Sequence, residues 1–232
     1  MVEKSELFSP PQAQPAERDS AGRRRTDRRS RQGGMEIAVV FGLILVAVWT
    51  PQGALNHWIS LVAAVCVVGI ALSHRSTPSQ LGLSHPWRGA GRILVAGAIL
   101  CGIILVIGKC LRFAGAGYAV PWNRSWQYVV WSLAQEFILQ SIFFVRLESI
   151  FGPKRAVILA AALFSVAHIP SPVLTLLSFA GGILFSELFR RFRNLYPLAA
   201  IHGALGLTIA ASLPERWLHH MRVGLGYLSA GG

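Results

Sequence analysis

Apolar residues in this chain fall in long runs at about 35–50, 54–73, 93–110, 126–145, 156–169, 173–189 and 195–213, parted by short connections that hold Pro, Gly or Arg. A helix crosses the hydrocarbon layer of a membrane with ~20 consecutive apolar residues, because that length satisfies every backbone N–H and C=O within the layer. The pattern predicts an all-α fold, a multi-pass transmembrane helical bundle of about seven spans. The runs 156–169 and 173–189 are shorter and are joined by Pro170-Ser171-Pro172, which also fits a re-entrant pair or a helix with little lipid contact.

Ahead of the first run lies a Pro-, Gln-, Ser- and Arg-rich stretch that ends at Gly33-Gly34. It holds too little apolar surface to offset the entropy of ordering, so residues 1–34 are expected to be a disordered, Arg-rich cytoplasmic tail. A signal peptide is a poor fit, since the basic region is long and more membrane-like sequence follows Pro51. The remaining chain divides into three accessory helices over 35–124, a four-helix core over 125–213 and a short C-terminal tail over 214–232.

Composition narrows the class. Of 232 residues 53% are hydrophobic and 14% charged, where a soluble domain carries about a quarter charged; a water-soluble globule is excluded. The net charge of +12 suggests a polyanion partner until its distribution is read. Eight of the 22 Lys and Arg lie in the first 34 residues, chiefly in Arg23–Arg31. Such a run binds the anionic inner leaflet at ~1 kcal/mol per basic residue, so membrane lipids are the expected partner and nucleic acid is not. With the tail inside, alternating connections carry 17 basic residues inside against 5 outside, and positive residues favour the cytoplasmic side. The N-terminus is expected in the cytoplasm and the C-terminus outside. Three cysteines, Cys66, Cys101 and Cys110, make neither a disulfide framework nor a zinc motif.

Candidate chemistry follows by elimination. Of ten acidic residues, nine lie in the tail, at helix starts or beside loop arginines, and the tenth, Glu136, stands about ten residues into an apolar run. That is ~15 Å of helical rise, near the bilayer midplane, where an ionisable group marks a functional site by default. Of seven histidines, His168 and His202 fall inside apolar runs. Each of the three alone reads equally well as a packing residue with a satisfied hydrogen bond. Gln135 and Gln140 flank Glu136, and Gln140 at i+4 shares its helix face. A polar stripe on an apolar helix implies a protein-lined or watered cavity.

The segments Gln135-Glu136-Phe137-Ile138-Leu139-Gln140, Phe164-Ser165-Val166-Ala167-His168 and His202-Gly203-Ala204-Leu205-Gly206 resemble, in order and spacing, the three motifs of the CPBP family of CAAX proteases and bacteriocin-processing enzymes. The family pattern is E-E-x-x-x-R, F-x-x-x-H and H-x-x-x-N, and the resemblance covers about residues 125–213. It implies an intramembrane endopeptidase that cleaves membrane-associated peptide or lipidated protein substrates. Its catalytic residues would be Glu136, His168 and His202, with Gln135, Gln140 and Phe164 in support, and its setting the bacterial inner (plasma) membrane. A carboxylate would take the proton of an attacking water held between helices, and His202 would donate to the oxyanion.

Three positions depart from the pattern: Gln135 replaces the water-activating carboxylate, Gln140 the arginine and Gly206 the asparagine. Either Glu136 has taken over as base through a small helix rotation, or the chain is a catalytically inactive, protease-like scaffold. A proton-coupled transporter is a further alternative, since Glu and His relays carry protons through membranes. No cofactor is expected. Two His and one Glu also form a hydrolytic zinc set, but no H-E-x-x-H is present, so zinc is not favoured and no metal site is assigned.

Overall fold

The computed structural model describes residues 15–73, 76–111 and 121–229, all helix, turn or loop with no strand among them. The main elements are α1 (Pro15–Val48), α2 (Ala54–Ser73), α3 (Ala90–Cys110), α4 (Trp122–Glu136), a π-helix (Phe137–Phe144), α5 (Val145–Phe151), α6 (Pro153–Val166), α7 (Pro172–Phe192) and α8 (Leu195–Ser212). Two short turns, α9 (Glu215–Leu218) and α10 (Leu225–Leu228), follow. Among the described residues six helices are long and apolar enough to cross a membrane, with Ser125–Phe151 running through α4, the π-helix and α5 as one.

Contacts sort the helix ends into two groups. At one end Gly33 abuts Arg146 and Ile150, Gly82 abuts Phe189, and Gly89 abuts Phe192. Asn194 Nδ2 donates there to the carbonyls of Pro86 at 2.7 Å and Arg88 at 3.0 Å. At the other end Gly108 abuts Ser212 and Gly224 abuts Val48, while Gly224 N–H donates to Ile169 O at 2.9 Å. The described chain thus runs between the ends seven times, and its last turns lie opposite Gly33. Six passes are full-length helices; the expected span at 156–169 is α6, which has 14 residues and rises only ~21 Å. It is too short for a ~30 Å layer and leans on α7, where Gly182 meets Ala161 closely enough that no side chain fits between.

The N-terminal expectation is also corrected. Helix α1 begins at Pro15, so residues 15–34 are helical where a disordered tail was expected, and residues 1–14 lie outside the described residues. Ala, Arg, Gln and Glu are good helix formers, and adding residues to an existing helix carries no nucleation cost.

The core centres on α8, which is buried on most of its faces, from Leu195 and Leu198 through Ile201 and Leu205 to Ala210. Small residues let its neighbours close in: Gly97 of α3 faces Ile201, and Gly203 faces Val129 and Ser132 of α4. Without a hydrophobic drive between helices in lipid, close backbone approach of this kind supplies the packing. The π-helix has its own support. Arg146 Nη1 donates to the carbonyls of Ser141 at 3.3 Å and Ile142 at 3.1 Å, and its Nε donates to Glu36 Oε2 at 2.6 Å. The buried guanidinium therefore caps carbonyls within the irregular segment and ties it to α1. Ser141 Oγ donates to Leu81 O at 2.8 Å, pinning the same segment to the 76–89 loop. This fixes the rotational setting of α4 just ahead of it.

Candidate active site

Glu136 is the last residue of α4 before the π-helix, and its side chain is 0% exposed. Its Oε1 accepts from His202 Nδ1 at 2.8 Å, and its Oε2 accepts from Gln140 Nε2 at 3.1 Å. His202 lies on α8 and stacks on Phe185, with ring centroids 5.1 Å apart. The edge of Phe164 meets His202 at 5.7 Å on one side and His168 at 4.7 Å on the other. His168 sits in the turn after α6, and its Nδ1 donates to Phe164 O at 2.7 Å. That turn is held by Ser165 Oγ, which donates to Thr175 O at 2.8 Å.

These bonds assign the tautomers. A carbonyl and a carboxylate accept only, so the Nδ1 proton of each imidazole is committed, to Phe164 O and to Glu136 respectively. A neutral ring keeps one N–H, which leaves Nε2 of each histidine as a lone-pair acceptor. His168 lies outside the six long helices, and burial lowers its pKa from the usual 6.5; the hydrogen bond to Phe164 opposes this and the nearby His202 adds to it.

Both imidazoles border a cavity of about 590 Å³, whose other polar-bearing walls include Tyr128 and Gln135 and whose remaining lining is largely apolar. Gln135, His168, His202 and Phe164 line it; Glu136 and Gln140 do not. The three residues expected to be catalytic therefore converge on one region, but not as equals. Glu136 has both oxygens engaged and no exposed surface, and it stands behind His202 as seen from the cavity. Successive helix residues differ by ~100° in direction; Gln135 faces the cavity, while Glu136 turns toward α8 and His202. Tyr128 escaped the sequence reading. The available signal was its position on the face of α4 that also carries Ser132 and Gln135, the polar side of an apolar helix.

Gly206 lies one helical turn after His202, and a Cβ built there would overlap the Tyr128 hydroxyl and lie 2.6 Å from its Cζ. Among the described residues no group of three or more His, Cys, Asp or Glu side chains could hold a metal ion.

Residues 119–208 match the family described as Type II CAAX prenyl endopeptidase Rce1-like. This stretch, less than half of the chain, resembles that family. The matched stretch takes in α4, the π-helix, α5, α6 and α7 and most of α8, and with them Tyr128, Gln135, Glu136, Phe164, His168, His202 and Gly206. The helices α1 to α3 precede it and supply the far walls of its cavity through Phe41, Ile44 and Leu100. No curated protein matches the chain. Six helices long and apolar enough to cross a membrane, together with the resemblance to a CAAX prenyl endopeptidase family, make the chain an integral membrane protein.

Proposed function

We propose that the protein is an intramembrane endopeptidase that hydrolyses a peptide bond of a membrane-associated peptide or lipidated protein. The observation that carries this reading is the 2.8 Å contact from His202 Nδ1 to the buried Glu136 carboxylate. It orients an imidazole so that its Nε2 lone pair serves the cavity, the arrangement of a carboxylate-supported general base. His202 Nε2 accepts a proton from water as the water oxygen bonds to the carbonyl carbon. The resulting tetrahedral species then collapses, the C–N bond breaks, and the same proton passes to the leaving amine. Glu136 touches neither water nor substrate and is a positioning residue for His202. His168 Nε2 and the Gln135 amide hold the water between them. The reaction as written uses water and side chains alone.

Gln135 favours a second reading. A carboxamide in the cavity wall binds a peptide but takes no proton, which suits a protease-like scaffold that holds its partner without cutting it. The test is a purified, liposome-reconstituted protein offered membrane-anchored fluorogenic peptides. Cleavage by the wild type that is lost in His202→Ala supports the hydrolase, whereas peptide retention without any cleavage in either protein supports the scaffold.

In the same proposal the protein sits in a bacterial inner membrane with the Gly33 end in the cytoplasm, where the arginine run meets anionic lipid. With Cys66, Cys101 and Cys110 replaced, single cysteines at the exposed position 34 and at 213 should then label from opposite sides; labelling from one side refutes it.

A further inference from the structure

We propose that the Tyr128 hydroxyl is the hydrogen-bond donor that holds the reacting carbonyl oxygen in the cavity and stabilises its oxyanion, an inference that rests on the hydrolytic reading above. The argument begins with a shortage of donors. Hydrolysis of an amide moves the carbonyl electron pair onto oxygen, and a buried oxyanion without a donor is prohibitively costly. Neither imidazole can meet this need at the start of the reaction, because each Nδ1–H is spent, on Glu136 and on Phe164 O, and each neutral Nε2 is an acceptor.

The position of Tyr128 answers the shortage. Its ring lies against Gly206, so closely that a Cβ there would overlap its hydroxyl. Gly206 is the i+4 neighbour of His202 on the same face of α8, and such positions lie ~5–6 Å apart. In the proposed pose the carbonyl carbon faces the water on His202 and the carbonyl oxygen faces Tyr128. Tyr128 lines the cavity, and its hydroxyl has no hydrogen-bond partner among the described residues. Other donors on the wall are committed or placed less well. The Gln135 amide holds the attacking water in the reading above, Ser178 is seven residues from Phe185 along α7, ~10 Å from the ring stacked on His202, and Trp131 is 57% exposed. Gly206 is thus the vacancy into which α4 delivers a phenol, and any side chain at 206 would displace it.

In this step Tyr128 keeps its proton. The carbonyl carbon gains a bond to the water oxygen, the electron pair of C=O goes to the oxygen that Tyr128 faces, and the proton of water goes to His202 Nε2. As the C–N bond breaks, the pair returns and the proton leaves with the amine.

The deciding variant is Tyr128→Phe, which keeps the ring beside Gly206 and so the packing, and removes the donor. Loss of one such donor lowers kcat by ~10²–10³, with KM and the thermal midpoint nearly unchanged. A second readout needs no turnover. With the cleaved bond located by mass spectrometry, the same peptide carrying ¹³C at that carbonyl is bound to His202→Ala and to His202→Ala/Tyr128→Phe. The labelled C=O stretch should shift to higher frequency in the double variant. Cleavage by the wild type, loss in His202→Ala and a Tyr128→Phe rate within threefold of wild type would overturn this inference and leave the hydrolytic reading intact. An unshifted carbonyl band also overturns it. A wild type that cleaves no peptide overturns both, and is told apart by the absence of any turnover to compare.

Discussion

Replacing Glu136 separates positioning from packing, because two substitutions at this site have opposite signatures. In Glu136→Gln the new carbonyl oxygen can accept from His202 Nδ1, and the new NH₂ then meets Gln140, whose Nε2 is the donor in the native pair. Gln140 resolves the conflict by rotating its amide, since its Oε1 is buried without a hydrogen-bond partner and can take the new donor. One orphaned acceptor is exchanged for one orphaned donor, a change of about 1 kcal/mol. Activity has no such remedy. A carboxamide does not stabilise the imidazolium that forms when His202 takes a proton, and it can equally present NH₂ to Nδ1 and hold the wrong tautomer. The corresponding Asp→Asn change in serine proteases lowers kcat ~10⁴-fold, so a fall of ~10³–10⁴, or about 4–5 kcal/mol of barrier, is expected here. In Glu136→Ala the two donors, His202 Nδ1–H and Gln140 Nε2–H, both lose their acceptor. At ~0.6–1.7 kcal/mol per bond in a membrane bundle, the loss is about 1–3 kcal/mol, or roughly 3–10 °C in thermal midpoint. The assay pairs single-turnover cleavage in proteoliposomes with thermal unfolding in detergent. Glu136→Gln cleaving within threefold of wild type, or melting as low as Glu136→Ala, would refute the reasoning.

Three further outcomes follow from the same geometry. Burial lowers the His168 pKa below 6.5, so on acidification the unfolded chain takes up its proton first; stability should fall from pH ~6.5 down to the folded pKa and then level off, and a thermal-melting comparison with His168→Asn that shows no such difference refutes it. Gln135→Glu places a carboxylate in the cavity wall as a second base and should raise cleavage ~10-fold or more; an unchanged rate would mean that residue 135 does not reach the water. Glu36→Ala strips the carboxylate from the buried Arg146 guanidinium and should cost about 3 kcal/mol, whereas Glu36→Gln keeps an acceptor for Arg146 Nε and should recover part of it; equal unfolding midpoints for the two would count against the pair.

The chain's spans were legible because hydropathy over ~20 residues is a local property, set by the need to satisfy the backbone inside the lipid. Six of the seven expected runs became long apolar helices, and elimination among ten acids and seven histidines singled out Glu136, His168 and His202. What was not legible depended on rotation and long-range contact. Whether Gln135 or Glu136 faces the cavity turns on ~100° of helix rotation, which is settled by α8 packing on α4 and by the π-helix, where Arg146 and Ser141 are tied to Glu36 and Leu81, 110 and 60 residues away in sequence. The pairing of Glu136 with His202 joins residues 66 apart, and Tyr128 has meaning only because Gly206 lies empty against it. Even the helical state of residues 15–34 reflects a neighbour, the helix already begun at the membrane. Composition thus decides where a chain enters the bilayer, whereas the roles of single side chains are decided by which faces the packed helices turn toward one another, since helix rotation is fixed by contacts that no local stretch encodes.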